Sequence, residues 1–163
     1  MPKAAVITVS DRCSRGERAD ASGPAVRQLL EDNGFTVVAL EIVPDELNQI
    51  QTMLVRLCER AELVVTTGGT GIAARDVTPE ATRGVTTRLV EGVAERMRAE
   101  GAKKTPLAAL SRGVCAIRGR SLILNVPGSP TAAVESLAAV LNLLPHALDL
   151  LRGHTAHGSK SAG

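Results

Sequence analysis

Apolar runs rich in β-branched residues recur along the chain, separated by segments whose apolar residues have helical spacing. Such runs, bounded by turn residues, predict β-strands. Parallel neighbouring strands need crossovers that are usually helical, so the early alternation of strand and helix predicts a mostly parallel sheet with helices on both faces. The last two runs are separated by Arg118-Gly119-Arg120-Ser121 and predict an antiparallel hairpin. The predicted strands are Ala4–Val9, Phe35–Val43, Leu63–Thr67, Val114–Ile117 and Leu122–Val126.

The segments between these strands predict amphipathic helices, because their apolar residues fall in single stripes. Thr78-Pro79-Glu80 combines an N-cap residue, a proline at the first helical position and an acid in the first turn, and predicts a helix start. Pro145 lies inside the last segment and predicts a kink near Leu141, since proline removes a backbone hydrogen bond. The predicted helices are Pro24–Asn33, Glu46–Ala61, one beginning at Thr78, Thr87–Glu100 and Thr131–Leu151.

A chain of 163 residues fits one domain with one core. Since no internal repeat interrupts the pattern, we predict a single domain over residues 1–153. Residues 154–163 are rich in Gly, Ser and His and predict a flexible tail, where His157 lies. A lone HxxH pattern in such a tail does not indicate a metal site.

Charge and composition limit the classes of partner. The net charge is +2 with basic and acidic residues interspersed, and Phe35 is the single aromatic residue, so nucleic-acid binding has little electrostatic or stacking support. Cys13, Cys58 and Cys115 are odd in number and form no CxxC pair, which predicts free thiols in a reducing compartment. We find neither a leader-like segment nor an apolar stretch of membrane-spanning length. We therefore expect a cytoplasmic protein that binds neither nucleic acid nor membrane.

Turn residues, carboxylates and hydroxyls follow four of the predicted strands. In open α/β sheets, ligands bind outside the carboxyl ends of the strands, so we expect these loops to meet around one crevice. The loops are Ser10-Asp11, Pro44-Asp45-Glu46, Thr67-Gly68-Gly69-Thr70-Gly71 with Asp76 beyond it, and Asn125–Pro130.

The glycine-rich loop lets backbone N–H groups approach an anion, and the hydroxyls of Thr67 and Thr70 add donors. A plain tight turn is the alternative, but the position after a buried strand favours a ligand site. The loop lacks the Gly-Lys-Ser/Thr of a Walker A loop. Gly69-x-Gly71-x-x-Ala74 matches the dinucleotide pattern only loosely, since the acid expected about 20 residues on at a strand end is missing. A nucleotide-binding oxidoreductase is therefore the least favoured hypothesis.

Asp11, Asp45 and Asp76 each follow a different strand, so the fold can bring them to one magnesium ion and its nucleotide phosphates. Helix capping is the alternative for Asp45, which precedes the helix predicted from Glu46, and Asp76 can brace the turn before Thr78.

Two further segments are candidate anion contacts. Ser129-Pro130 opens the last helix, whose N-terminal amides favour an anionic group. Ser111-Arg112 can bring a guanidinium to phosphate, although a surface arginine is the commoner explanation. Cys13 has no histidine nearby in sequence and is expected to be a bystander thiol.

Seven motifs in this order and spacing resemble the molybdopterin-binding family, which includes bacterial MogA and MoaB and the G domain of gephyrin. The resemblance runs from about Ala4 to Gly153. The motifs are Ser10-Asp11-Arg12, Asp20-x-Ser22-Gly23-Pro24, Pro44-Asp45-Glu46, Thr67-Gly68-Gly69-Thr70-Gly71, Arg75-Asp76-Val77-Thr78-Pro79-Glu80, Leu110-Ser111-Arg112 and Asn125-x-Pro127-Gly128-x-Pro130.

The resemblance implies a three-layer α/β/α fold, commonly a homotrimer, that adenylylates molybdopterin with ATP and Mg²⁺ and releases pyrophosphate. By motif, Asp45 and Asp76 match the family's carboxylates for adenylyl transfer and are the candidate magnesium ligands. The resemblance also implies a molybdenum-insertion protein as a partner. The candidate residues for binding substrate and nucleotide are Ser10, Asp11, Thr67, Gly68, Gly69, Thr70, Gly71, Ser111, Arg112, Pro127, Gly128 and Ser129.

The motifs leave the subfamily open, because MogA-like and MoaB-like members share them. The main alternative is a non-catalytic, MoaB-like protein that binds molybdopterin or acts as a scaffold. The chemistry itself requires no protein nucleophile, which agrees with the lack of a credible Ser/His or Cys/His pair in the sequence.

Overall fold

One mixed sheet organises the computed structural model, which describes residues 1–154. In the order β2-β1-β3-β6-β5-β4, the first four strands are parallel, and β5 runs antiparallel to both β6 and β4. The predicted mostly parallel sheet with an antiparallel hairpin is thus confirmed. The strands are β1 (Lys3–Val9), β2 (Thr36–Val43), β3 (Leu63–Thr67), β4 (Arg88–Leu89), β5 (Cys115–Arg118) and β6 (Ser121–Val126). The tail predicted over residues 154–163, His154 apart, lies outside the described residues.

Seven α-helices and two 3-10 helices connect the strands within residues 1–154. The 3-10 helices are Pro106–Leu110 and Leu141–Leu143. The α-helices are α1 (Asp11–Ser14), α2 (Ser22–Asp32), α3 (Leu47–Cys58), α4 (Thr78–Gly84), α5 (Glu91–Ala102), α6 (Pro130–Ala138) and α7 (Leu144–Leu151).

The helices cover both faces of the sheet, because alternate strand residues point to opposite sides. On one face, Val6 and Val65 pack with residues of α2, α5, α6 and α7. On the other face, Ile7 and Val64 pack with α3 and α4. Each fully buried aliphatic side chain contributes roughly 1.5–3 kcal/mol by leaving water. The predicted three-layer α/β/α arrangement follows from these two cores.

The helix predicted over Thr87–Glu100 is wrong at its start. The amide of Thr87 donates to Ile117 O at 3.0 Å and that of Val90 donates to Cys115 O at 2.7 Å, so this segment pairs with the open side of β5. The helix begins only at Glu91. Tertiary strand pairing overrides the local helical pattern here.

Two helix ends also differ from prediction. Thr78 does not cap α4, whose N-cap is Val77; the Thr78 hydroxyl instead donates to Gly68 O at 3.0 Å. The kink predicted near Leu141 is present as a full break, where the 3-10 helix separates α6 from α7. Pro145 lies in the first turn of α7, where its missing N–H costs no hydrogen bond.

The expectation that no segment is apolar enough to span a membrane needs a correction. By length and composition, Pro130–Leu151 passes that test. In the fold this segment is broken after α6, and one face of it buries Leu137, Leu144 and Leu148 in the core. Burial of one face is what an amphipathic helix packed against a core shows.

Candidate active site

A polar cavity of about 310 Å³ lies at the carboxyl edge of the parallel strands. The segments following β1, β2, β3 and β6 all reach it, so loops far apart in sequence share one crevice. Of the predicted site residues, its lining includes Ser10, Asp45, Thr67, Gly68, Gly69, Asp76, Gly128 and Ser129. The carboxylates of Asp45 and Asp76 thus line the same cavity as Gly68 and Gly69.

The remaining predicted residues lie elsewhere. Thr70, Gly71, Ser111 and Pro127 line a second cavity of about 270 Å³. The glycine loop therefore stands between two cavities, with Gly68 and Gly69 facing one and its second half facing the other. Asp11 and Arg112 line neither cavity, and their side chains bind other parts of the protein.

Asp45 is held by a reciprocal pair of hydrogen bonds with Asp11. The Asp11 amide donates to Asp45 Oδ2, and the Asp45 amide donates to Asp11 Oδ1, both at 3.0 Å. The alternative that Asp45 caps α3 is wrong, because the N-cap is Glu46 and no side chain caps that helix. Burial raises the pKa of the Asp45 carboxyl, and the nearby charges of Asp11 and Asp76 raise it further.

Arg75 ties three of the strand-end loops together. Its guanidinium donates to both carboxylate oxygens of Asp11, at 2.9 and 3.0 Å, and to Glu46 Oε1 at 3.0 Å. The hydrogen bond from Arg75 lowers the pKa of Asp11. Arg75 was not predicted as a site residue, although it stands in the motif that contains Asp76.

Asp11 therefore acts on Asp45 rather than on the cavity itself. Within residues 1–154, no group of three or more His, Cys, Asp or Glu side chains has the arrangement of a metal site. The expected three-carboxylate magnesium set is not assembled, because the Asp11 carboxylate already binds Arg75 and the Asp45 amide.

The glycine loop has a conformation that larger residues adopt only with strain. Gly68 and Gly69 have φ values of 102° and 67°. A Cβ on Gly69 would overlap the Thr78 hydroxyl and would lie 3.0 Å from Asp45 Oδ1. The loop can therefore approach Asp45 closely because it carries no side chain. The Thr67 hydroxyl, expected to be a ligand donor, donates to Pro127 O at 2.7 Å and joins the loop to the β6 turn.

Asp76 combines a local role with a place on the cavity. Its Oδ2 accepts a hydrogen bond from the Ala73 amide at 3.0 Å, so it does brace the turn before Thr78. The same carboxylate lines the polar cavity. One oxygen is thus fixed by the backbone, which sets the direction of the carboxylate.

Arg112 holds the second half of the glycine loop. Its guanidinium donates to Gly71 O and Asp76 O, both at 2.8 Å, and to Glu80 Oε2 at 2.6 Å. The hydrogen bond from Arg112 lowers the pKa of Glu80. The role expected for Arg112 was phosphate contact, whereas in this structure its donors bind protein oxygens.

The second cavity is lined mainly by apolar groups from α5, the 3-10 helix Pro106–Leu110 and α6. Met97, Leu107, Ala108 and Ala132 are among them. The sequence did not predict this cavity, because most of its apolar wall comes from three separate elements and only Leu110 among those wall residues stands in a quoted motif.

Residues 18–22 complete the polar cavity and were not predicted as site residues. Asp20 accepts hydrogen bonds from the Thr8 hydroxyl at 2.8 Å and the Gly23 amide at 3.0 Å. Arg18 and Ser22 line the cavity beside it. The signal for Asp20 and Ser22 was the motif in which both stand, but Arg18 lies outside every motif quoted.

The three cysteines are unpaired, as predicted. Cys13 lines the polar cavity without a histidine in its lining. Burial raises the pKa of the Cys115 thiol to about 12, so this thiol stays protonated. Neither thiol has the partner that a nucleophile needs.

These features define an α/β ligand-binding domain: an open sheet with a carboxylate-bearing polar cavity and an adjoining apolar cavity at its carboxyl edge. The two cavities meet at a glycine loop that can approach an anion.

The chain belongs to the molybdopterin-binding family. The family described as "Probable molybdopterin binding domain" matches residues 5–146. The predicted family and fold class are confirmed, and the chain is a member of a family of molybdenum cofactor biosynthesis.

Named relatives agree with this assignment. The molybdopterin adenylyltransferase of Helicobacter pylori strain J99 is 42% identical over 153 residues, covering 91% of this chain and 87% of the relative. That of Escherichia coli K12 is 42% identical over 139 residues, covering 83% and 71%. The crystal structure of the molybdopterin biosynthesis enzyme MoaB from Thermus thermophilus is 53% identical, with a TM-score of 0.89, covering 94% of this chain and 98% of that one.

Proposed function

We propose that this chain is a molybdopterin adenylyltransferase, which transfers the adenylyl group of ATP to molybdopterin. The observation that carries the proposal is the meeting of Asp45, Asp76 and Gly69 on one polar cavity. Relatives with the name of this activity align over most of the chain. Cavity and alignment together favour the enzyme over a protein that only binds the pterin.

The reaction joins two anions. The terminal phosphate oxygen of molybdopterin attacks the α-phosphorus of ATP, a new P–O bond forms, and the bond from the α-phosphorus to its bridging oxygen breaks to release pyrophosphate. No protein nucleophile is needed, so catalysis consists of alignment and charge stabilisation. The Gly68 amide donates to Val126 O, so the backbone donors proposed for this purpose are those of Gly69 and of the turn at Gly128-Ser129, which line the cavity.

The two cavities suit two parts of the substrates. The polar cavity, with its carboxylates and hydroxyls, receives the reacting phosphates. The apolar cavity receives a ring system, whose faces lose contact with water there. Since both cavities border the glycine loop, a ring in one and a phosphate in the other remain adjacent.

Asp45 and Asp76 would hold Mg²⁺. The fit is favourable because both carboxylates line one cavity, and a cation between them would offset the negative charge that raises the pKa of Asp45. Mg²⁺ is commonly bound by one or two carboxylates together with substrate phosphates, which agrees with two carboxylates here. Bound there, the ion supplies neutralisation of phosphate charge.

We further propose, from the family resemblance, a cytoplasmic homotrimer that passes its product to a molybdenum-insertion protein. Neither nucleic acid nor membrane is a proposed partner. Sedimentation equilibrium of the purified chain tests the trimer: a mass of one subunit at micromolar concentration would rule it out.

The experiment that tests the activity is ATP- and Mg²⁺-dependent release of pyrophosphate upon addition of molybdopterin. We expect release that requires all three components. Tight molybdopterin binding without release would favour the scaffold alternative, and binding of a nicotinamide nucleotide instead would favour an oxidoreductase.

A further inference from the structure

Arg18 is the only Lys or Arg among the residues that line the polar cavity, as far as residues 1–154 are concerned. The cavity also carries the carboxylates of Asp20, Asp45 and Asp76. A site for phosphate groups needs positive charge or N–H donors to offset this negative charge. Arg18 is therefore the one side chain in the lining that supplies a permanent cation.

Arg12 does not line the cavity, and the two arginines that hold the glycine loop and the loop of Asp11 are already engaged. Arg75 binds Asp11 and Glu46, and Arg112 binds Glu80 together with two backbone carbonyls. Arg18 forms no salt bridge within the described part of the chain. Its guanidinium donors thus remain available to a ligand, whereas those of the other two fix loops.

The segment that carries Arg18 is anchored at both sides. It connects α1 to α2, and Asp20 fixes its far end through the Thr8 hydroxyl and the Gly23 amide. On the near side, the Glu17 amide donates to Arg12 O at 2.9 Å. The backbone therefore holds an exposed, unpaired guanidinium at the rim of the cavity.

We propose that Arg18 binds a phosphoryl group of a substrate in the polar cavity. A guanidinium presents paired N–H donors that match two phosphate oxygens, which an ammonium cannot do. The identity of the anion rests on the proposed function: it is either the triphosphate of the nucleotide or the terminal phosphate of the pterin. Both offer the same phosphoryl oxygens to Arg18.

The test is calorimetric binding of pyrophosphate to the full chain, which needs no turnover. Arg18→Gln is compared with Arg15→Gln, a matched control in the same segment whose side chain does not line the cavity. Loss of a charge-assisted hydrogen bond predicts roughly a tenfold or larger rise in Kd for Arg18→Gln. We expect Arg15→Gln to remain within about twofold of wild type, because a screened, exposed charge has little effect. Arg18→Lys should fall between the two.

Two results overturn the proposal: an unchanged Kd in Arg18→Gln, or an equal loss in Arg15→Gln, which would indicate a general charge effect. Steady-state kinetics then identify the anion. A rise in KM for ATP alone assigns the triphosphate, a rise for molybdopterin alone assigns the terminal phosphate, and no rise for either again overturns the proposal. If wild type binds pyrophosphate through Arg18 yet transfers no adenylyl group, the proposed activity fails while the binding role stands.

Discussion

The two cavities beside the glycine loop differ in what holds them. The polar cavity is built on charge, with Asp45 fixed by Asp11 and Asp11 fixed by Arg75. The apolar cavity is a space between α5, the 3-10 helix Pro106–Leu110 and α6, and its lining is mainly apolar. Substitutions in the polar cavity should therefore alter the chemical step, whereas those in the apolar cavity should alter the affinity for a ring. The shared loop should affect both.

Asp76→Asn should cause the largest effect. The amide keeps an oxygen that can accept from the Ala73 amide, so the turn is retained while the charge is lost. If Asp76 serves the reacting phosphates, kcat should fall by roughly 10²–10³-fold or more. The pyrophosphate assay measures this, and circular dichroism checks that the fold persists. Turnover like that of wild type would show that the assignment of Asp76 is wrong.

Gly69→Ala should lower both stability and turnover, because the glycine loop borders both cavities. Its Cβ would meet Thr78 and approach Asp45, so we expect a loss of about 1–3 kcal/mol in unfolding free energy beyond the strain of positive φ, together with reduced turnover. Gly16→Ala is the matched control, since Gly16 has φ 74° but no atom within 4 Å of an added Cβ. Urea unfolding of both variants measures the difference. Equal losses would mean that the close approach to Asp45 has no energetic consequence.

Ala108→Leu should change affinity and leave chemistry nearly intact. The larger side chain occupies part of the apolar cavity, so we expect KM for one substrate to rise by roughly tenfold, equivalent to about 1.4 kcal/mol, with kcat within about twofold. Ala109→Leu lies next to it on the same 3-10 helix, is exposed and does not line the cavity. Identical kinetics in the two variants would exclude ring binding in this cavity.

Asp45→Asn should have the smallest effect, which is a slight gain in stability. Because the folded protein raises the pKa of Asp45, ionisation opposes folding as pH rises above the unfolded value of about 3.9. The neutral amide avoids this, so Tm at pH 7 should rise by roughly 1–4 °C. Below the unfolded pKa both side chains are uncharged and the difference should vanish. A lower Tm at pH 7 would mean that the lost charge stabilised the fold.

Strand positions and the main helices could be predicted because burial imposes a period on the sequence. Leu63–Thr67 is predicted and observed with the same bounds, since every residue of this strand is buried. The predictions failed where distant groups decided the conformation. Thr87–Val90 has a helix-like pattern but pairs with β5, and Asp11–Ser14 is too short for periodicity to reveal it.

At the site, the motifs predicted which loops meet but not the hydrogen-bond partners of each side chain. Asp45, Asp76 and Gly69 were expected at one crevice and lie there. The engagement of Asp11 by Arg75, and of Arg112 by Glu80, could not be predicted, because hydrogen-bond partners 32 to 64 residues apart depend on where folded loops meet.

The fold class, the family and the set of loops at the sheet edge could be predicted from the sequence alone, because periodic burial and ordered motifs are properties of the chain itself. Which charged groups remain free depends on the folded chain. Packing brings Arg75 to Asp11 and Arg112 to Glu80, so both guanidinium groups stabilise loops, while Arg18 is left facing the polar cavity. The physical reason is that a charge acts according to its nearest partners, and the folded chain alone determines them.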